Sequence, residues 1–308
     1  MPRPQRADAR AATAAIETRG LTKRYGRARG IDDVTLIVEP GEVFGFLGPN
    51  GAGKTTTIRT LMGLLRPTAG TALILGADTV RDGVRARSQA GFLPGDFDFD
   101  PRVTGGELLD LLADLRGVTD RSFAAELARR FAAELHRPLG ALSRGNRQKI
   151  GLIQALAHRP PVVVMDEPTS GLDPLMQEEF ERLVDELRAA GTTVFLSSHN
   201  LDEVERMCDR VGILRDGRLV AVESVDTLTG RALRRVVVTF AAGSGPTHEL
   251  AGIAGVADLR THGRRLVFTT AGDIDPVLRV LAGHHVLDLE VTRPSLEDSF
   301  AAYFGESR

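Results

Sequence analysis

From Ile16 to Leu36 apolar and polar positions alternate around two turn-like points, Tyr25-Gly26 and Ala28-Arg29-Gly30, and Pro40-Gly41 closes the stretch. A period of two predicts antiparallel strands with one buried face. The pattern then changes to an unbroken apolar run, Val43-Phe44-Gly45-Phe46-Leu47, which has the length of a strand buried on both sides. A glycine-rich turn follows, and residues 54–65 carry helical spacing until Pro67 and Gly70 end it. Residues 71–75 read as another strand.

Between Asp96 and Pro160 the period lengthens. Leu108, Leu109, Leu111, Leu112 and Leu115 cluster at helical spacing, and residues 123–135 and 148–157 continue it, which predicts a helical insertion over about 97–160. From Pro161 strands at 162–165 and 193–197 alternate with helices at 176–190 and 200–207. Residues 211–214 and 219–221 flank Arg215-Asp216-Gly217-Arg218, a hairpin signal because Asp-Gly accepts positive φ at both central positions. Short strands at 235–240, 266–269 and 286–291, with helices at 276–281 and 295–304, predict a small α+β domain. The expected division is a disordered tail over 1–14, one α/β domain over 15–228 and an accessory domain over 229–308.

A length of 308 residues and 33.2 kDa suits one large and one small domain. The 42% hydrophobic and 26% charged fractions exclude disorder throughout. Cys208 is the sole cysteine, which excludes an internal disulfide and fits a reducing compartment. No apolar stretch approaches the ~20 residues that cross a bilayer, and the first residues lack the apolar segment of a secretory signal. The chain is therefore expected neither to span a membrane nor to be exported. Residues 1–30 carry seven arginines and Lys23 against Asp8 and Glu17, so a basic arm on anionic lipid or nucleic acid stands beside the disordered-tail reading. Lysine occurs only at 23, 54 and 149, an arginine bias of composition that does not by itself indicate a nucleic-acid surface.

The chemistry begins at Gly48-Pro49-Asn50-Gly51-Ala52-Gly53-Lys54-Thr55-Thr56, a phosphate-loop pattern placed after an apolar strand and before a helix. Glycines let the backbone curl so that successive N–H groups face phosphate oxygens, and the helix N-terminus adds its dipole there. Lys54 would bring charge to the β- and γ-phosphates, and the Thr55 hydroxyl would complete a magnesium shell. Val162-Val163-Val164-Met165-Asp166-Glu167 ends a buried strand in two carboxylates, where an open parallel sheet presents its ligand crevice. Asp166 is placed to reach magnesium, and Glu167 to orient or deprotonate an attacking water.

Taken together, these motifs resemble those of the ATP-binding subunits of ABC transporters, in order across about residues 16–228. Leu142-Ser143-Arg144-Gly145-Asn146 resembles the signature loop, Ser170-Gly171-Leu172-Asp173 the D-loop, and His199 after Leu196-Ser197-Ser198 the switch histidine. Tyr25 stands where the family stacks an aromatic on adenine. The run from Gly145 to Leu156, the Pro168-Thr169-Ser170 link and Pro294-Ser295-Leu296-Glu297-Asp298 are similar to the subgroup that serves ABC-2-type exporters, including drug and antibiotic self-resistance pumps. On the residues alone, His199 is equally a surface or core histidine, Tyr25 a packing residue, and Ser143 the cap of a helix starting near Asn146. The resemblance adds a γ-phosphate sensor, an adenine platform, and a second subunit's phosphate contact through Ser143, Gly145 and Asn146, with Asp173 at the same interface.

The resemblance also implies a P-loop ABC-type fold: a mixed sheet with an antiparallel β-subdomain and a helical subdomain. It implies ATP and Mg2+ as cofactors and a homodimer sandwiching two ATP molecules. The partners implied are integral membrane permease subunits of ABC-2 type, with the chain peripheral at the cytoplasmic face of the membrane. No nucleic-acid partner is expected. The alternative is a soluble ABC ATPase acting on ribosomes or nucleic acid, but such chains carry tandem domains or long heptad segments, and neither is present. Two positions leave the family pattern. Gly95 replaces the usual glutamine after Leu93-Pro94, with Asp96 beside it as a possible substitute, and Arg144 replaces a signature glycine, either adding charge at a phosphate or lying on the surface.

Overall fold

The computed structural model describes residues 14–26, 28–97, 99–230 and 234–292. The tail expected over 1–14, apart from Ala14, and the helix expected at 295–304 lie outside the described residues. The chain divides into two compact units, Met1–Val222 and Glu223–Arg308.

In the first unit β1 (Ile16–Tyr25) and β2 (Ala28–Val38) pair antiparallel, Ile16 opposite Val38 and Tyr25 opposite Ala28. Their alternation buries Ile16, Leu21, Ile31, Val34, Leu36 and Val38. Next come β3 (Val43–Leu47), whose five residues are all buried, and α1 (Lys54–Leu61). α1 stops earlier than its apolar period suggests because Gly63 turns the chain with φ 67°. β4 (Ala69–Ile74) pairs antiparallel with β1 and is flanked by β5 (Ala77–Asp78), giving a sheet of order β2-β1-β4-β5. A short α2 (Gly83–Ser88) then leads into β6 (Ala90–Leu93).

The insertion contains α3 (Gly105–Arg116), α4 (Ser122–Arg130) and α5 (Arg144–Leu156). A capping box between Thr104 and Glu107 starts α3. Ala132, with φ 47°, follows close on the end of α4, short of the expected 135. α5 begins at Arg144 because Ser143 Oγ accepts the Asn146 N–H at 3.2 Å. Past the insertion lie β7 (Val162–Asp166), α6 (Pro174–Ala189), β8 (Thr193–Ser198), α7 (Leu201–Met207), β9 (Arg210–Arg215) and β10 (Arg218–Ser224). They complete a six-stranded sheet of order β10-β9-β3-β8-β7-β6, in which β9, β3, β8, β7 and β6 run parallel. β9 turns into β10 through Asp216 and Gly217, both at positive φ (49° and 77°), as the dipeptide predicts.

The second unit carries α8 (Val225–Gly230), β11 (Arg234–Phe240), α9 (Thr247–Ala251), β12 (Val256–His262), β13 (Arg265–Thr270), α10 (Asp275–Ala282) and β14 (Val286–Thr292). Its sheet is antiparallel, of order β12-β13-β11-β14. Val236, Val238, Phe240, Leu266 and Phe268 pack from the sheet against Leu250 of α9 and Val277 and Leu281 of α10. β12 escapes the sequence pattern because it kinks at Asp258, φ 52°, and exposes most of its side chains.

Candidate functional site

Strands β3, β8 and β7 lie side by side and parallel, so the loops that follow them emerge together. Leu47 pairs with Ser198, and Asp166 with Ser197, which puts the glycine-rich loop, the Asp166-Glu167 pair and His199 at one sheet edge.

The loop can take its course only with glycine at two places. A Cβ on Gly48 would stand 2.5 Å from the Leu214 carbonyl oxygen, and one on Gly53, at φ 109°, 2.9 Å from that of Gly30. Gly53 is the N-cap of α1, and Thr57 N–H closes on its carbonyl at 2.9 Å. The amides of Lys54, Thr55 and Thr56 therefore have no acceptor inside the helix and face out from its positive end.

Lys54, only 6% exposed, donates from Nζ to the Gly48 carbonyl at 2.6 Å and lies 3.4 Å from Glu167 Oε1. Glu167 Oε2 lies 2.5 Å from His199 Nδ1. One carboxylate thus bridges the lysine of the first loop and the histidine of the third. Asp166, 2% exposed, accepts at Oδ1 from the Ser197 hydroxyl at 2.6 Å, and the same hydroxyl accepts the Glu167 N–H at 3.0 Å. A Cβ built on Gly95 would lie 3.1 Å from Asp166 Oδ2, so that oxygen faces the wall where Gly95 has no side chain.

These groups open into a cleft of about 510 Å³, within the range of ligand sites. Of the residues singled out in the sequence, Tyr25, Pro49, Asn50, Gly51, Gly53, Lys54, Thr55, Thr56, Asp166, Glu167 and His199 border it. Tyr25 is about half exposed, and the Lys23 ammonium sits 5.5 Å from its ring centroid. Gly48 and the buried Ala52 underlie the loop, outside the residues that border the cleft. Ser143, Gly145, Asn146 and Asp173 do not border the cleft of their own chain. Ser143 caps α5, the Asn146 amide donates to Glu134 at 2.6 Å, and Asp173 caps α6 through the Met176 N–H at 3.1 Å.

Gly30, read in the sequence only as part of a turn, and Ser170, read only as part of the D-loop motif, also border the cleft, and Ser197, given no role there, ties its two carboxylate residues together. Ser197 gave no signal beyond a polar residue at a strand end. Arg144 lies on the cleft rim and donates to Ser170 Oγ at 3.0 Å. Among the described residues no group of three or more His, Cys, Asp and Glu gathers as a metal cage. The donors at hand, the Thr55 hydroxyl and the Asp166 carboxylate, are hard oxygens of the kind that hold a cation keeping most of its shell from phosphate and water. No helix among the described residues is long and apolar enough to cross a membrane.

Residues 31–170 match the ABC transporter family. The chain is 36% identical over 219 residues to the bacitracin transport ATP-binding protein BcrA of Bacillus licheniformis, covering 70% of this chain and 72% of that one. It is 35% identical to the daunorubicin resistance ATP-binding protein DrrA3 of Streptomyces coeruleorubidus over 96% of this chain and 98% of the relative. Among solved structures it is similar to the ATP-binding cassette MJ0796, a dimer in a post-hydrolysis state bound to ADP and Pi. The TM-score is 0.62 at 25% identity, covering 68% of this chain and 98% of that one.

Proposed function

The chain belongs to the ABC transporter family as an ATP-hydrolysing subunit, and from that premise we propose which residues run the cycle and what it drives. The outward amides of 54–56, the glycine loop and Lys54 bind the phosphates, and the exposed face of Tyr25 stacks on the purine. Thr55 and Asp166 hold Mg2+, which when bound neutralises charge on the phosphates. Glu167 takes the proton of the attacking water, and His199, hydrogen-bonded to it, reads the γ-phosphate. The observation that carries this reading is the Glu167 carboxylate lying between Lys54 and His199 at the mouth of the loop. Asp96 borders the same cleft beside Gly95 and supplies the polar group that the family's glutamine brings. Unchanged magnesium dependence in Asp96→Ala would remove it from this set.

Ser143, Gly145 and Asn146, with Asp173, serve the nucleotide of a second copy. ATP then joins two subunits, and its hydrolysis releases them. The work is delivered to a separate permease of ABC-2 type, with this chain at the cytoplasmic face of the membrane. The cargo is a drug-like or antibiotic compound, a reading supported by the names of BcrA and DrrA3. The test is a pull-down from native membranes with Glu167→Gln, ATP and Mg2+. A multi-span membrane protein recovered with this variant and absent with Lys54→Ala is the expected result. Ribosomes or nucleic acid in its place would overturn the transport role and leave the ATPase standing.

A further inference from the structure

Glu167 has φ 53°, a left-handed backbone that a glutamate adopts only when its surroundings hold it there. Its N–H is held by Ser197 Oγ at 3.0 Å, and its carbonyl accepts the Ser170 N–H at 3.2 Å. A further hold comes from α5, nineteen residues back along the chain. The Gln148 side-chain amide donates from Nε2 to the Glu167 carbonyl at 3.1 Å and to the Pro168 carbonyl at 3.0 Å. Gln148 is 4% exposed, so these bonds are shielded from water, and it does not border the cleft that Lys54 and His199 share.

We infer that Gln148 is a positioning residue for Glu167: its amide fixes the 167–168 peptides and so aims the carboxylate between Lys54 and His199. The chemistry fits an amide closely. A terminal NH₂ carries two hydrogens, and both carbonyls are served from the one nitrogen. A carboxylate of the same shape has no N–H and would turn a negative oxygen toward two carbonyl oxygens. The hold also has a rigid base. Gln148 lies little more than a turn into α5, whose first residue, Arg144, grips Ser170 Oγ at 3.0 Å, so one helix end fixes both ends of the loop from Glu167 to Ser170. Glu203 fixes the far side, its buried carboxylate accepting from Thr169 Oγ1 at 2.9 Å and from Ser198 Oγ at 3.0 Å. It ties the residue two beyond Glu167 to the residue just before His199. On the 167–168 peptides themselves the Gln148 contact joins the holds from Ser197 and Ser170, and among the described residues it alone reaches the Pro168 carbonyl from a side chain.

The inference rests on Glu167 activating water, and the test separates the two. Full-length wild type, Gln148→Glu, Glu167→Gln and the double variant are compared for kcat, KM and affinity for a fluorescent ATP analogue. A misplacement of about 1 Å costs on the order of 100-fold, so Gln148→Glu is expected to lower kcat by roughly 10- to 100-fold. KM and analogue affinity should hold, and in the Glu167→Gln background the substitution should cause no further loss. A kcat within about twofold of wild type would overturn the inference, as would parallel loss of affinity or an equal loss in the Glu167→Gln background. Full hydrolysis by Glu167→Gln would instead overturn the role of Glu167, and the inference with it. Should Gln148→Glu fail to fold, Gln148→Met keeps the volume and helix preference without the N–H groups, and the same comparison applies.

Discussion

Replacing Ser197 by alanine removes one oxygen from a fully buried position at the end of β8. That oxygen donates to Asp166 Oδ1 at 2.6 Å and accepts the Glu167 N–H at 3.0 Å. Loss of a hydrogen bond to a charged group costs about 1.5–3 kcal/mol, and a buried N–H left without an acceptor about 1–3 kcal/mol. Because one atom makes both bonds the losses do not simply add, and a total of about 2–4 kcal/mol is expected. For a unit of this size each kcal/mol moves the melting point by about 2–4 °C, so the shift should fall between roughly 4 and 16 °C. Calorimetry of the full chain measures it, following the transition that added ATP raises, since ATP binds the folded first unit. Ser170→Ala is the control: that hydroxyl lies near the surface, and its loss should stay within about 0.5 kcal/mol. A shift under about 2 °C for Ser197→Ala would refute the view that this hydroxyl holds the two carboxylate residues in register.

The Arg130 guanidinium joins α4 to α6, meeting Glu179 at 2.6 Å and Glu186 at 2.6 and 2.9 Å. Arg130→Met strands the mostly buried Glu179, but Arg182 still reaches it at 2.9 Å and Glu186 is largely exposed. The cost should therefore be about 1–2 kcal/mol, below the ~3–5 kcal/mol of a fully buried pair, and an unchanged denaturation midpoint would show the link to be idle. Burial, with Arg116 Nη1 at 2.9 Å from Nε2, pushes the His158 imidazole down to about 4. The folded chain thus keeps it neutral while the unfolded chain protonates it near 6.5. Its contribution to stability is whole above about pH 6.5 and is lost as pH falls through about 4. His158→Gln should flatten the acid limb of a stability–pH curve in that window, and an identical limb would assign the slope elsewhere.

What the amino-acid pattern reveals follows from burial. β3, β7 and β8 are covered on both faces, so their unbroken apolar runs announce them, and the chemistry at their ends stands out against those runs. β14 carries Leu287, Leu289 and Val291 in alternation, and its extent is nearly that of the expected strand although most of it is exposed. β6 has four residues and α2 six, too few for a period to emerge. The phosphate loop is legible because its demands are local: a turn, a helix start, a lysine. The contacts of Gln148 and Ser197 are long-range in sequence and made by residue types that are common on polar surfaces. The same holds at Gly145, where a Cβ would stand 2.5 Å from the Gly171 carbonyl oxygen. That glycine is required by the loop lying across α5, a neighbour that no local pattern describes.

The two departures from the family pattern meet in space, because Gly95 and Arg144 border one cleft. A side chain at Gly95 would start 3.1 Å from Asp166 Oδ2, while Ser197 holds the other oxygen of that carboxylate. Glycine therefore leaves Oδ2 turned toward open space, with Asp96 as the neighbouring acid on the rim. On the same rim Arg144 adds a cation, and its hydrogen bond to Ser170 lays the guanidinium along the loop that carries Glu167. Relative to the family pattern the cleft loses a neutral amide beside its acids and gains a fixed positive charge. Arg144 thus brings a positive charge to the rim that Asp96 shares. Of the cleft's carboxylates Glu167 lies beside the Lys54 ammonium and His199, Asp166 is hydrogen-bonded to the neutral Ser197 hydroxyl, and Asp96 stands on the rim. Two departures that the sequence presents as unrelated are, in the folded chain, neighbours on the rim of a single site.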